Sequence, residues 1–116
     1  MCGINGVVKI QGTIDSAWLE RQRDKQKPRG PDDAGIWISP ARNIGLAHRR
    51  LAIIDLSEKG HQPMSSEDGR YVIVFNGEVY NFSELRSNLE KMGYRFAGGS
   101  DTEVVLAAYQ AWGDVW

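Results

Sequence analysis

Cys2 is the most reactive side chain in this sequence, and its position is more unusual than its identity. Initiator methionine is commonly removed before a small second residue, which would leave a cysteine carrying a free α-amino group. An α-amine titrates at ~7.7 to 8.0, so near neutral pH it can take a proton from an adjacent thiol. Nucleophile and base would then belong to one residue. The competing reading is a small hydrophobe at a chain end, since free cysteines are commonly buried. Cys2 is also the only cysteine, which excludes an intramolecular disulfide and a cysteine-based zinc site.

Other residues with chemical potential lie further along. Asn76-Gly77 is either a tight turn or a pair of donors, a carboxamide and a backbone N–H, with glycine permitting close approach of the backbone. Asp32 and Asp33 are adjacent acids whose position between Pro31 and Gly35 favours turn and cap roles over paired catalysis or metal binding. His48 and His61 have no cluster of further ligands around them in the sequence, so packing and surface roles are expected and no metal site is assigned. Asp101 would fall in the first turn of a helix, where an acid is favoured by the helix dipole, and Glu78 fits a solvated charge after a turn.

Sequence pattern places these residues on strands, helices and turns. Residues 4–10, rich in β-branched side chains, predict a strand, so Cys2 sits at a strand's beginning. Residues 16–27 predict a short surface helix stopped by Pro28 and Gly30-Pro31. Two strands, 35–39 and 44–47, flank a hairpin turn at Pro40-Ala41-Arg42-Asn43, and residues 50–56 continue as a largely apolar strand. Residues 57–70 read as a long polar surface loop. The run 71–75 predicts a fully buried strand that delivers the chain into Asn76. Asn81 with Glu84, and Ser100 with Glu103, have the spacing of capping boxes; they open helices over 82–92, closed by Gly93, and from 101 to Gly113. The second helix puts Val104, Val105, Ala108 and Trp112 near one face. Strands followed by helices indicate an α+β fold.

Bulk properties exclude several classes. At 116 residues there is room for one small domain or part of one. Fourteen basic against fifteen acidic residues, net charge -1, provide no field for nucleic acid or anionic lipid. No apolar run approaches the ~18 residues of a membrane span, so a soluble, cytoplasmic protein is expected.

Five stretches occur together in an order that is informative: MCGI at the start, RGPDDAG at 29–35, LAHRRLAIIDLS at 46–57, FNGEVYNF at 75–82 and GGSDTEV at 98–104. The set resembles class II glutamine amidotransferase domains, and among them the glutaminase domain of the asparagine synthetase family. The resemblance spans almost the whole chain, with one departure: Pro28 stands where a histidine often precedes the arginine of RGPDD. It implies an N-terminal-nucleophile hydrolase fold, stacked β-sheets flanked by helices, of which residues 1–116 would be the N-terminal portion.

The resemblance also assigns roles. Cys2 attacks the carboxamide of L-glutamine, and Asn76 with Gly77 stabilises the oxyanion. Arg50 binds the α-carboxylate, while Arg49 is the variable position and is expected to face solvent. Leu51, Ala52, Ile53 and Ile54 form the pocket wall, and Glu78 and Asp101 engage the ammonium end. No cofactor is implied for this segment. ATP and Mg2+, with aspartate as ammonia acceptor, are implied for a synthetase domain outside it, and a homodimer is an expectation for the full-length protein. Two other readings fit the sequence: the glutaminase of a sugar-phosphate or phosphoribosyl amidotransferase, and a truncated, catalytically silent binding or structural fragment.

Overall fold

A computed structural model describes residues 2–53 and 57–114. They fall into two units. The first holds the chain up to Ala52 with His61–Pro63 and Val74–Asn76; the second holds most of the remainder.

The first unit is built on a three-stranded antiparallel sheet. Strands β1 (Gly3–Val8), β2 (Asp33–Ile38) and β3 (Ile44–Arg50) are ordered β1-β3-β2, so β3 is central. The predicted hairpin joins β2 to β3. Ser39 Oγ accepts from the backbone N–H of both Asn43 and Ile44, and Arg42 takes the left-handed conformation at φ 59°. Helix α1 (Ser16–Asp24) begins at Asp15, whose carboxylate accepts the N–H of Ala17. It covers one sheet face by burying Leu19 against Ile14, Ala47, Val7, Ile36 and Ile38. A side chain buried as fully as Leu19 contributes ~1.5 to 3 kcal/mol. Asp24 ends α1 short of the expected residue 27, and Pro28 lies in a separate 3-10 turn, Lys27–Arg29.

Two predicted strands are shorter than their apolar runs. The strand expected over 50–56 is absent at 51–53, and residues 54–56 lie outside the described part. The cause is loss of partners: β1 starts at Gly3 opposite Arg49, and β2 starts at Asp33 opposite Arg50. Among the described residues, no flanking strand continues alongside residue 51. The buried strand expected over 71–75 is only β5 (Val72–Ile73), half-buried. Its partner β4 (Met64–Ser65) offers two register positions, Met64↔Ile73 and Ser65↔Val72, and the ladder ends there. Residues 57–70 are correspondingly not one long loop. They contain a 3-10 turn (Glu58–Gly60), β4, and a turn in which Ser66 Oγ donates to Asp68 and accepts from Tyr71 N–H.

The second unit has β4, β5 and two helices, α2 (Phe82–Lys91) and α3 (Asp101–Trp112). Leu89, Val104, Ala107 and Ala108 form its buried core, with Phe82, Leu85, Tyr94, Phe96 and Trp112 packed around them. Val105, expected on the same face, is half-buried. The stop at Gly93 is a Schellman motif: φ is 100°, Gly93 N–H donates to Glu90 O and Tyr94 N–H to Leu89 O. The starts differ from the predicted capping boxes. Asn81 makes no side-chain cap bond. Ser100 Oγ does accept Glu103 N–H, but the Glu103 carboxylate turns to the N–H groups of Ala97 and Gly98. The α+β class expected from the sequence holds.

Candidate active site

Cys2 immediately precedes β1. Its sulfur lies against the backbone of Leu51, just past the end of β3: Leu51 N–H donates to Sγ at 3.3 Å, and the thiol faces Leu51 O at 3.7 Å. The thiol is partly exposed. A backbone N–H aimed at sulfur is a donor for negative charge developing there.

The loop 29–35 braces the same segment. Asp32 N–H donates to Arg50 O at 2.9 Å, and Asp32 Oδ2 accepts Ala52 N–H at 2.8 Å. One residue thus bridges the end of β3 and the residue beyond Leu51, replacing the missing ladder. Gly30 is required for this approach, because a Cβ there would overlap the Arg49 carbonyl and stand 2.6 Å from Arg50 N. Asp33 acts on other partners. Its Oδ1 accepts Ala34 N–H, and Oδ2 pairs with His61 Nδ1 at 2.6 Å. The backbone-capping role expected for the two acids matches this geometry.

Arg49 and Arg50 are both 8 % exposed, which corrects the expectation that Arg49 faces solvent. Adjacent strand residues do point to opposite faces. The face Arg49 enters, however, is the one covered by α1, where its Nε donates to Gly30 O at 2.9 Å and Nη1 approaches Asp24 at 3.4 Å. Arg50 takes the other face, cross-strand from Asp33.

Phe75 and Asn76 belong to the same unit as Cys2 and Arg50. Phe75 N–H donates to Gln62 Oε1 at 2.6 Å, and Phe75 O lies 3.2 Å from His48 Nε2. A carbonyl only accepts, so Nε2 carries the proton and Nδ1 is bare; no hydrogen-bond partner for it is found among the described residues. Asn76 itself is exposed. His48 is fully buried, and desolvation holds its pKa below 6.5. Arg50 and His61 lower it further, whereas the Phe75 carbonyl and Asp33 act in the opposite direction.

That shift has a testable sign. Between the lowered folded value and 6.5 the unfolded chain binds more protons at this site, so the contribution is fully present above pH 6.5 and is lost as the pH falls through the folded value. Urea midpoints measured on both sides of pH 6.5 are expected to drop less on acidification in His48→Phe than in the wild type. An unchanged slope would show that His48 does not carry the effect.

The remaining predicted residues lie in the second unit or outside the described part. Asp101 opens α3, is 7 % exposed, and accepts Val79 N–H at 3.1 Å, so it orders the segment after Asn76-Gly77 while occupying a helix's first turn. Gly77 and Glu78 are exposed. Ile53 is 61 % exposed and is not strand core; Ile54 is outside the described residues. Gln62 carries a contact that pattern did not announce, and for Asp32 pattern gave the capping role but not its partners at residues 50 and 52. For His48 the only signal was its position two residues before Arg50, hence on the same strand face.

With this geometry established, the comparisons define the class. The whole chain, residues 1–116, matches the family described as a glutamine amidotransferase domain, and the chain belongs to that family. It is similar to asparagine synthetase [glutamine-hydrolyzing] 1 of Bacillus subtilis (strain 168), 46 % identical over 95 % of this chain, and to asparagine synthetase [glutamine-hydrolyzing] 3 of the same organism, 40 % identical over 97 %. A third relative is amidase chry2 of Gibberella zeae, 37 % identical over 97 %. The chain spans 18 % of the length of each of these three. Among the described residues, no helix is long and apolar enough to cross a membrane.

Proposed function

We propose that this chain is the catalytic front of an N-terminal-nucleophile glutaminase that releases ammonia from L-glutamine. Removal of Met1 would expose the Cys2 α-amine. The amine takes the thiol proton, the thiolate attacks the glutamine side-chain carbonyl carbon, and the C–N bond breaks as the amine returns the proton to the departing nitrogen. Ammonia leaves and a glutamyl thioester remains. Water, deprotonated by the same amine, then attacks the thioester to give glutamate and restore the thiol. Each tetrahedral intermediate carries a negative oxygen, for which the Asn76 carboxamide and Gly77 N–H are the proposed donors. Arg50 would hold the α-carboxylate with its planar fork, and Glu78 and Asp101 the ammonium group.

The observation that carries this reading is the seat of the thiol. Cys2 Sγ is partly exposed and rests on Leu51, the residue after Arg50, within a family-matched chain. In the intact gene product the ammonia would pass to aspartate activated by ATP and Mg2+ in a cytoplasmic synthetase; of this, the names of the two Bacillus relatives support only a glutamine-hydrolysing asparagine synthetase. Among the described residues, no cluster of three or more His, Cys, Asp or Glu is fit to hold a metal.

The test uses the intact gene product. Glutamine alone is expected to yield glutamate and ammonia in equal amounts, and glutamine with ATP, Mg2+ and aspartate to yield asparagine. A diazo-ketone analogue of glutamine is expected to add to Cys2, read by intact-mass spectrometry. Retention of Met1 in active protein, or labelling elsewhere, would remove the mechanism; glutaminase activity without asparagine would remove only the acceptor.

A further inference from the structure

Phe75 lies beyond the last ladder pair of β5, Met64↔Ile73, so its backbone groups have no partner in that strand pairing. They are instead held by two buried side chains from separate parts of the first unit. Gln62, 5 % exposed, accepts the N–H at 2.6 Å, and His48, fully buried on central strand β3, donates to the carbonyl at 3.2 Å. The N–H belongs to the peptide plane before Phe75 and the carbonyl to the plane after it. Holding both planes fixes φ and ψ of Phe75, and the second plane carries the nitrogen and Cα of Asn76.

We propose that Gln62 and His48 are positioning residues for glutamine hydrolysis, which aim the exposed Asn76 carboxamide by gripping both backbone groups of Phe75. The inference rests on the oxyanion role proposed for Asn76. Its physical basis is that an oxyanion donor acts by being placed in advance, and a displacement of about 1 Å can cost on the order of a hundredfold in rate. An exposed asparagine on a segment without strand pairing has no such placement of its own. His48 supplies it from the central strand of the sheet whose edge follows Cys2, and Gln62 from a non-strand segment of the same unit, so donor and nucleophile share one frame.

Two pairs of variants separate positioning from bulk. Gln62→Met and His48→Phe keep volume and remove the hydrogen bond. Gln62→Glu keeps an acceptor oxygen, and His48→Gln keeps a donor nitrogen at comparable reach. Glutaminase kcat in the intact gene product is expected to fall by about ten- to a hundredfold in the first pair, with KM for glutamine within about threefold, and to recover substantially in the second pair. If His48→Phe does not fold, Gln62→Met decides by itself.

Combining Gln62→Met with Asn76→Ala is then expected to lower kcat no further than Asn76→Ala alone, because the clamp acts only through that side chain. Unchanged kcat in Gln62→Met, equal losses in the conservative and non-conservative variants, or additive losses in the double variant would each overturn the clamp while leaving the glutaminase reading intact. Normal turnover in Asn76→Ala would instead remove the oxyanion assignment, and the clamp with it.

Discussion

Replacing Cys2 with alanine is expected to abolish ammonia release from glutamine while leaving any synthesis from free ammonia in the intact gene product unaffected. The thiol forms the only covalent bond between protein and substrate in the proposed reaction, and loss of an enzyme's nucleophile typically costs on the order of a millionfold in kcat. Alanine at position 2 is also small, so Met1 removal continues and the loss reports on sulfur rather than on processing. The structural cost is limited: Sγ is partly exposed, and Leu51 N–H loses one weak sulfur contact at 3.3 Å. Cys2→Ser is expected to fail as well, because a hydroxyl is far harder to deprotonate than a thiol with an α-amine as the base. Intact mass, melting temperature and ammonia release measured on the same preparation decide the matter. A folded, processed Cys2→Ala protein that still hydrolyses glutamine would end the N-terminal-nucleophile reading.

Arg50→Ala is expected to lower kcat/KM for glutamine by about thirty- to several-thousandfold, the range that ~2 to 5 kcal/mol for a truncated buried charge contact gives. Arg50→Lys is expected to fail substantially too, since an ammonium cannot reproduce the planar fork. The contrast with Arg49 is one of kind. Arg49 is equally buried but lies on the α1 face, bonded to Gly30 O. Arg49→Ala strands that carbonyl and opens space under the 29–35 loop, which amounts to ~1 to 3 kcal/mol of stability. Its pair with the half-exposed Asp24 adds little. Arg49→Ala should therefore lower the melting temperature with KM near normal, whereas Arg50→Ala should raise KM. The reverse pattern, KM disturbed by Arg49→Ala and only stability by Arg50→Ala, would mean that the substrate lies on the α1 face.

Much of this protein was legible in the sequence because the signals were local. The β2–β3 hairpin, the Gly93 stop and the Ser100 cap each follow from residues within a few positions of one another, where backbone conformation is set by short-range sterics and hydrogen bonding. The five motifs identified the family for the same reason: they are contiguous strings that survive without knowledge of the fold.

Tertiary structure decided whatever depended on having a partner. The apolar runs 50–56 and 71–75 read as strands, yet a strand extends only while a neighbouring backbone runs beside it, and pattern cannot count neighbours. Alternation correctly separated Arg49 from Arg50, but only packing showed that the face of Arg49 is covered by α1 and not by water. Asp32, Gln62 and His48 gained their contacts in the same way. Each satisfies backbone groups that the truncated ladders left open, at 2.8 Å to Ala52 and at 2.6 and 3.2 Å to Phe75. Those needs arise only once the chain is folded, because buried N–H and C=O groups must be paired wherever the strands run out. The sequence by itself therefore determined the class and the residues able to do the chemistry, and the fold determined which other side chains hold them still.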